Sequence, residues 1–348
     1  MKKIGILTAG GDAPGLNAAI RGVVKSAKEL YDMETVGFYF GFKGLIENDY
    51  TLINNTSGLL TKGGTILKTS REKPFKGADK KEKLKAILNT YKSHNLSGLV
   101  ILGGNGSQKT AYGLYKELGL NIISLPKTID NDIFGTDVCF GHSSAVDIAT
   151  DAIDRIHTTA TSHNRVMIME VMGHKAGWIG LNAGLASGSD IILIPEIPFS
   201  YEKIYRKIHE RVALKKDSTI ICVAEGALST SEATLTEAGL SQKRKNRTIG
   251  QRLARKIEKD TPFECRLTVL GYVQRGGTPN AFDRNLASIL GSSVAHHIEG
   301  ENFGNMVGYL NNQATAVPLE AVAGRLKLVD EDSSFLMGAR SLGISFGD

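Results

Sequence analysis

The chain is poor in the residues that mark several protein classes. Cysteine occurs only at Cys139, Cys222 and Cys265. An odd count without CxxC spacing or a neighbouring histidine cluster indicates neither a disulfide framework nor a zinc site, and a reducing cytoplasm fits. Proline occurs 8 times in 348 residues and no G-X-Y register is present, which excludes collagen and Pro-rich disorder. No run of about 18 apolar residues occurs anywhere, and the stretch after the N-terminal lysines is too short for a signal-peptide core. The chain therefore reads as neither exported nor membrane-spanning. An excess of one charge is also nearly missing: 42 Lys+Arg against 36 Asp+Glu leave +6, which suggests an anionic ligand more than nucleic acid.

What is plentiful is glycine, 39 residues, in a chain with 41% apolar residues. At this length two subdomains are expected. Short apolar runs rich in β-branched residues predict strands at 3–7, 35–39, 98–102, 121–125, 166–171, 191–194, 220–224 and 266–270. Helical spacing follows them at 16–31, 80–94, 107–118, 143–160, 201–214 and 248–260. Ile20, Val23, Val24 and Ala27 form one apolar stripe in the first helix. Uninterrupted apolar strands alternating with helices point to an α/β fold with parallel sheets covered on both faces. The segment 228–247, rich in Ser, Thr and Lys, reads as an exposed helix or loop.

In such sheets ligands sit beyond the carboxyl ends of strands, where helix N-termini favour anions. Three loops have that placement. TAGGDAPG at 8–15 and GGNGS at 103–107 each run from strand through glycines into helix, as a phosphate cradle or as a plain βα turn. Neither matches GxxxxGK[ST] or GxGxxG. PKTIDND at 126–132 puts two carboxylates two residues apart after a buried strand. It suits proton abstraction near a phosphate, or an Asx turn with solvated acids. Arg71, Arg165, His174, Lys175, Arg266 and Arg275 lie near strand ends, and arginine's planar fork suits phosphate. The basic run Lys243-Arg-Lys-Asn-Arg247 has no interleaved aromatics and reads as a solvated face, not a nucleic-acid surface.

Taken together, GGDAPG at 10–15, GG-x-GS at 103–107, TIDND at 128–132, SHxR at 162–165, MG at 172–173, VAEG at 223–226 and VLGxVQRGG at 269–277 resemble the phosphofructokinase family in order and spacing. The resemblance implies two Rossmann-like parallel-sheet domains with the active site in the cleft between them. Residues 1–141 with about 274–325 would bind nucleotide, and 142–273 with about 326–348 the sugar phosphate. It also implies transfer of the ATP γ-phosphoryl group to the 1-hydroxyl of fructose 6-phosphate, with Mg²⁺. In that scheme Asp130 is the base, and Asp132 and Asn105 support the metal. Gly10 and Gly11 meet the phosphate through backbone N–H groups, and Arg71 neutralises its charge. Glu72, Gly104, Gly106 and Ser107 complete the nucleotide side. Thr128, Ile129, Met172, Gly173, His174, Glu225 and Tyr272 become sugar contacts, with Thr128 and His174 also near the transferring group. Arg165, Arg266 and Arg275 become clamps on the 6-phosphate. Arg165 and Arg266 would reach in from a neighbouring subunit, so a homodimer or homotetramer with shared active sites is implied.

Within the family's pattern Gly106 favours ATP, whereas Lys127 is usual in pyrophosphate-using members and in a mixed ATP-using group. Three departures stand out: Asn105 replaces an acid, His174 an arginine and Tyr272 a histidine. A pyrophosphate-dependent enzyme and a catalytically weak sugar-phosphate sensor are the alternatives to an ATP-dependent enzyme. Arg21 and Lys25 are kept where the family places effector contacts, but His157 stands where arginine is usual. With only Glu196, Lys215 and Lys216 to add to the pocket, weak or absent control by ADP and phosphoenolpyruvate is expected.

Overall fold

The computed structural model describes residues 2–163 and 165–348, without the side chains of His163 and Arg244. The chain forms two compact units, residues 1–144 with 275–327 and residues 145–274 with 328–348. The first begins with β1 (Lys3–Ala9), α1 (Leu16–Tyr31), β2 (Glu34–Phe38), α2 (Phe42–Glu47), β3 (Tyr50–Leu52), α3 (Lys80–Ser93), β4 (Leu96–Gly103), α4 (Asn105–Leu118) and β5 (Ile122–Pro126). Helix α5 (His142–His163) carries the chain into the second unit. There follow β6 (Val166–Val171), α6 (Trp178–Ala186), β7 (Ile191–Leu193), α7 (Tyr201–Ala213), β8 (Thr219–Ala224), α8 (Thr230–Ala233), α9 (Glu237–Asn246), α10 (Ile249–Asp260) and β9 (Cys265–Val269). After a 3₁₀ turn at Gly271–Arg275, the first unit is completed by α11 (Ala281–Glu299), β10 (Asn305–Leu310), β11 (Gln313–Pro318) and α12 (Leu319–Val322). Helix α13 (Ser334–Ser341) belongs to the second unit.

The first sheet runs β11-β10-β5-β4-β1-β2-β3. Alternate side chains of its central strands feed two cores. Ile4, Ile6, Val100 and Leu102 join the core under α1 and α11, whereas Leu7, Ala9, Leu99 and Ile101 join the core under α3 and α4. That double coverage explains the uninterrupted apolar runs. The parallel sheet expected from the sequence needs one correction: β3 pairs antiparallel with β2, and β11 antiparallel with β10. The second pair closes through Asn311 and Asn312, both at positive φ (50° and 63°), as a two-residue hairpin turn requires. The tail thus supplies a hairpin to the first sheet. The second sheet, β7-β8-β6-β9, is parallel throughout.

Part of the glycine excess is packing. A Cβ on Gly22 of α1 would stand 2.9 Å from the Ser288 carbonyl oxygen, and one on Gly291 of α11 2.5 Å from that of Ala19. The two helices touch backbone to backbone, which only glycine permits. Residues 228–247, open between helix and loop in sequence, form the short helices α8 and α9.

Candidate functional site

Strand β1 leads to β2 on one side and lies beside β4 on the other. The carboxyl ends of β1 and β4 therefore flank the point where strand order reverses, the usual ligand position in open α/β sheets. Both carry glycine loops. In the first, Gly10 has φ 85° and Gly15, capping α1, has φ 96°. The segment 65–70 staples this loop: Thr8 Oγ1 donates to the Lys68 carbonyl (2.6 Å) and Thr69 Oγ1 to that of Gly10 (2.7 Å). The Gly10 N–H donates to the Ser70 carbonyl at 3.0 Å. This corrects the expectation for Gly10, whose N–H is committed to the chain and not to a phosphate. Arg71 follows the staple directly and is exposed, whereas Glu72 is drawn to Lys83 at 2.8 Å.

Gly11 lies against a side chain far from it in sequence. A Cβ there would meet Arg275 Nη1 at 2.9 Å, and that guanidinium donates to the Asp12 carbonyl at 2.9 Å. Lys127 Nζ donates to the neighbouring Gly11 carbonyl. Two cations thus hold two successive carbonyls of the first loop. Arg275, expected on the sugar 6-phosphate, stands at the first glycine loop.

At β4, a Cβ on Gly103 would stand 2.3 Å from Ser107 Cβ, so glycine there lets α4 start tight against the strand. Gly104 caps α4, and the N–H groups of Ser107 and Gln108 return to its carbonyl at 2.8 and 3.0 Å. Gly106 is unlike these: it is exposed, and a Cβ on it would have nothing within 4 Å. Packing does not ask for glycine at a helical position where it destabilises, so the space in front of it is available to a ligand.

The 126–132 loop hangs from β5. Thr128 Oγ1 accepts from the Asp130 N–H at 3.1 Å, and His142 meets the Ile129 carbonyl at 2.7 Å. Burial pulls the His142 pKa down to about 4, so it is a neutral strut and not an acid. Asn131, at φ 53°, receives Lys327 Nζ at 3.1 Å and the Cys139 N–H at 2.9 Å. These contacts fix the carboxylates: Asp130 is half-buried and Asp132 buried.

Lys127 is 2% exposed. Burial and then the Arg275 charge pull its pKa to about 8, against the opposing pull of Asp130, Asp12 and Asp132. The three thiols are buried and pushed up to about 12 by burial, which leaves no reactive cysteine. A metal must find its ligands elsewhere. Asn105 donates from Nδ2 to the Asp132 carbonyl at 2.9 Å, leaving its Oδ1 buried without a hydrogen-bond partner. No group of three His, Cys, Asp or Glu suited to a metal occurs among the described residues. An orphaned amide oxygen on a residue tied to the Asp132 backbone fits Mg²⁺, which takes few protein oxygens and completes its shell with water and phosphate.

In the second unit the carboxyl ends of β6 and β8 meet at Glu225. It accepts from the His174 N–H at 2.9 Å, and its own N–H donates to the Val171 carbonyl at 2.8 Å. The Met172 N–H donates to buried Gln274 at 2.7 Å. Gly173 at φ 148° and His174 at φ 53° make the sharp turn, and Cβ space at Gly173 is closed by the Ala176 carbonyl at 2.5 Å. Met172, Gly173, His174 and Glu225 therefore form one cluster. Tyr272, 74% exposed, stands beyond β9 next to β6.

Arg165 and Arg266 lie elsewhere, at the amino ends of β6 and β9, where both reach Glu264 (2.9 and 3.2 Å). A strand of six residues, roughly 20 Å, separates Arg165 from the Met172 turn. Asn164 of the SHxR motif and the His163 side chain lie outside the described residues.

Sequence reasoning missed Asp12, Glu264, Gln274 and the 65–70 staple. Asp12 was the one acid inside a glycine loop, which was signal enough. Glu264 lies in no motif, and Gln274 sits inside VLGxVQRGG without a role of its own there; both roles arise only when adjacent strands bring them to the arginines and to the Met172 turn.

Comparison with known proteins agrees with this geometry. The family model described as Phosphofructokinase matches residues 3–298. A Spirochaeta thermophila protein named ATP-dependent 6-phosphofructokinase is 51% identical, with 100% of this chain and 98% of that protein covered. A Bacteroides thetaiotaomicron protein named ATP-dependent 6-phosphofructokinase 3 is 48% identical, with 99% and 100% covered. The structure of phosphofructokinase from Saccharomyces cerevisiae superposes with a TM-score of 0.77 at 30% identity, over 92% of this chain and 45% of the yeast chain. This chain therefore spans less than half of that yeast chain. With seven motifs in order, glycine loops at a strand-order switch and a family match over most of its length, the chain belongs to the phosphofructokinase family.

Proposed function

We propose that the chain is an ATP-dependent 6-phosphofructokinase, moving the γ-phosphoryl group of ATP to the 1-hydroxyl of fructose 6-phosphate. The observation that carries this reading is the open ground before Gly106 at the start of α4, beside the unpartnered Asn105 Oδ1. Full-length relatives bearing that name support it.

Asp130 takes the hydroxyl proton as the new O–P bond forms and the bond to the ADP oxygen breaks. Its backbone is braced by Thr128, so the carboxylate is positioned before substrate arrives. The α4 N-terminus and the loop held by Lys127 and Arg275 supply positive potential to the phosphates, and Arg71 adds a mobile charge. Positioning and charge stabilisation are most of what phosphoryl transfer requires. Asn105 and Asp132 would hold Mg²⁺, which when bound neutralises phosphate oxygens. Glu225, Met172 and Gly173 orient the sugar, while His174, with Lys175 beside it, stands in for the missing arginine. Arg165 and Arg266, a strand length from the Met172 turn, serve a neighbouring subunit's sugar phosphate, which makes the working enzyme at least a homodimer. No helix among the described residues is long and apolar enough to cross a membrane, and a cytoplasmic setting suits the three unpaired thiols.

A coupled assay of fructose 1,6-bisphosphate formation tests the reading, with ATP and pyrophosphate as donors and sedoheptulose 7-phosphate as a second acceptor. ATP should support turnover with fructose 6-phosphate, and Asp130→Asn should lower kcat by about 10²–10⁴ with unchanged thermal stability. Faster turnover with pyrophosphate would transfer the assignment to that donor, which Lys127 favours. Tight sugar-phosphate binding without turnover would make the chain a sensor.

A further inference from the structure

The basic run at 243–247 is one wall of a groove in the second unit that the function above does not use. It is an open groove of about 640 Å³, within the size range of small-molecule sites. The facing wall is α10. There Arg252, Arg255, Lys256 and Lys259, spaced i, i+3, i+4, i+7, form one stripe, while Ile249, Leu253 and Ile257 bury another face of the helix. Lys243 and Arg247, four residues apart at the end of α9, look across at them.

This charge pattern works against folding. Like charges at i, i+4 destabilise a helix, and two such pairs of α10 line one concavity, Arg252–Lys256 and Arg255–Lys259, with Lys243 of α9 and Arg247 just past its end facing them. The protein answers them sparingly. Buried Glu232 pairs with Arg252 at 3.2 Å and Lys243 at 3.8 Å, and Asp260 pairs with Lys256 at 2.7 Å. Glu232 is also committed to the α8 capping box. Arg247, Arg255 and Lys259 make no ion pair among the described residues. Six cations line this groove against the two carboxylates that pair with them, a surplus of four positive charges, and all but Arg252 are solvent-exposed.

We propose that this groove is a binding site for a phosphate chain, that is, a linear di- or triphosphate group, distinct from the residues assigned to ATP and to the sugar. Arginine and lysine in this ratio suit such a ligand: Arg252, held by Glu232 and by its own bond to the Arg247 carbonyl at 2.8 Å, is a fixed fork. Lys243 and Lys259 are mobile point charges around it. The chain can be inorganic or the tail of a nucleotide, and the half-buried Tyr201 ring at the wall leaves room for either.

The three native cysteines are buried, so Ser231→Cys at the exposed rim can carry one fluorine tag that reports only on this groove. The labelled full-length protein is titrated with tripolyphosphate and, separately, with ADP. A saturable shift with tripolyphosphate is expected, weakened at least tenfold in Arg255→Glu/Lys259→Glu. The control Lys81→Glu/Lys85→Glu makes the same charge change on exposed α3 and should alter it less than twofold. Melting temperature without ligand should not fall in Arg255→Glu/Lys259→Glu, since repulsion is relieved, and tripolyphosphate should raise it less than in the parent. Equal weakening in both double variants would reduce the effect to net charge and overturn the site. A shift with ADP alone would overturn the phosphate-chain reading, and no local shift with either ligand would overturn the proposal.

Discussion

The Lys127 ammonium, 2% exposed, donates to the Gly11 carbonyl of the first glycine loop. Its pKa near 8 lies below the 10.5 of an unfolded lysine. Below pH 8 both states carry the proton and the buried charge opposes folding in full. Between pH 8 and 10.5 the unfolded chain binds more protons, so this group's contribution to stability rises, by about 3 kcal/mol in total. Lys127→Met should remove that rise. Denaturation of both proteins at pH 7, 8.5 and 10 should give a wild-type stability that gains on the variant as pH increases; parallel curves would refute the assignment. Activity should nevertheless fall in the variant, because the Gly11 carbonyl loses its partner.

Gly106→Asp separates stability from donor choice. The side chain enters open space, replaces a poor helix former and places a negative charge in the first turn of α4. A gain of about 0.5–1 kcal/mol is expected. The same carboxylate repels the α-phosphate, so KM for ATP should rise at least tenfold while pyrophosphate gains relative to it. Unchanged KM for ATP would remove Gly106 from the donor site.

Asn105→Asp tests the metal. It trades the Nδ2 bond to the Asp132 carbonyl for a charge beside that oxygen, at a cost of about 1–3 kcal/mol without metal. The Mg²⁺ concentration for half-maximal activity should drop several-fold. A thermal melt with and without Mg²⁺ gives a second readout, in which the variant is stabilised more than the parent.

Sharing of sites between subunits is tested by mixing. Asp130→Asn chains, nearly inactive, and Arg266→Ala chains, impaired at low fructose 6-phosphate, should recover activity at low fructose 6-phosphate when co-refolded, since some sites then combine an intact Asp130 with an intact Arg266. Arg266→Ala alone should act mainly through KM for fructose 6-phosphate. No recovery on mixing, with mixed oligomers demonstrated, would place Arg266 in its own chain's site.

Much of this architecture is local and so was written in the sequence. All eight runs read as strands, from β1 to β9 without β3, are strands; apart from the largely exposed edge strand β9, they are β-branched apolar stretches whose burial needs no distant partner to be recognised. The loops at 10–15, 103–107 and 126–132 were legible for the same reason. Helix α11 was not, since Gly291 and its serines interrupt the apolar stripe, and their purpose exists only against Gly22 of α1. Nor was the antiparallel hairpin of β10 and β11, which depends on finding the β5 edge. Tertiary structure alone decided that Gly10 gives its N–H to Ser70, that Lys127 and Arg275 hold the first loop and that Glu264 gathers two arginines. It also brought Lys243 and Arg247 to face the α10 stripe. Each of these joins residues far apart in sequence or on separate elements, and their chemistry follows from distance and burial, which a linear pattern does not contain.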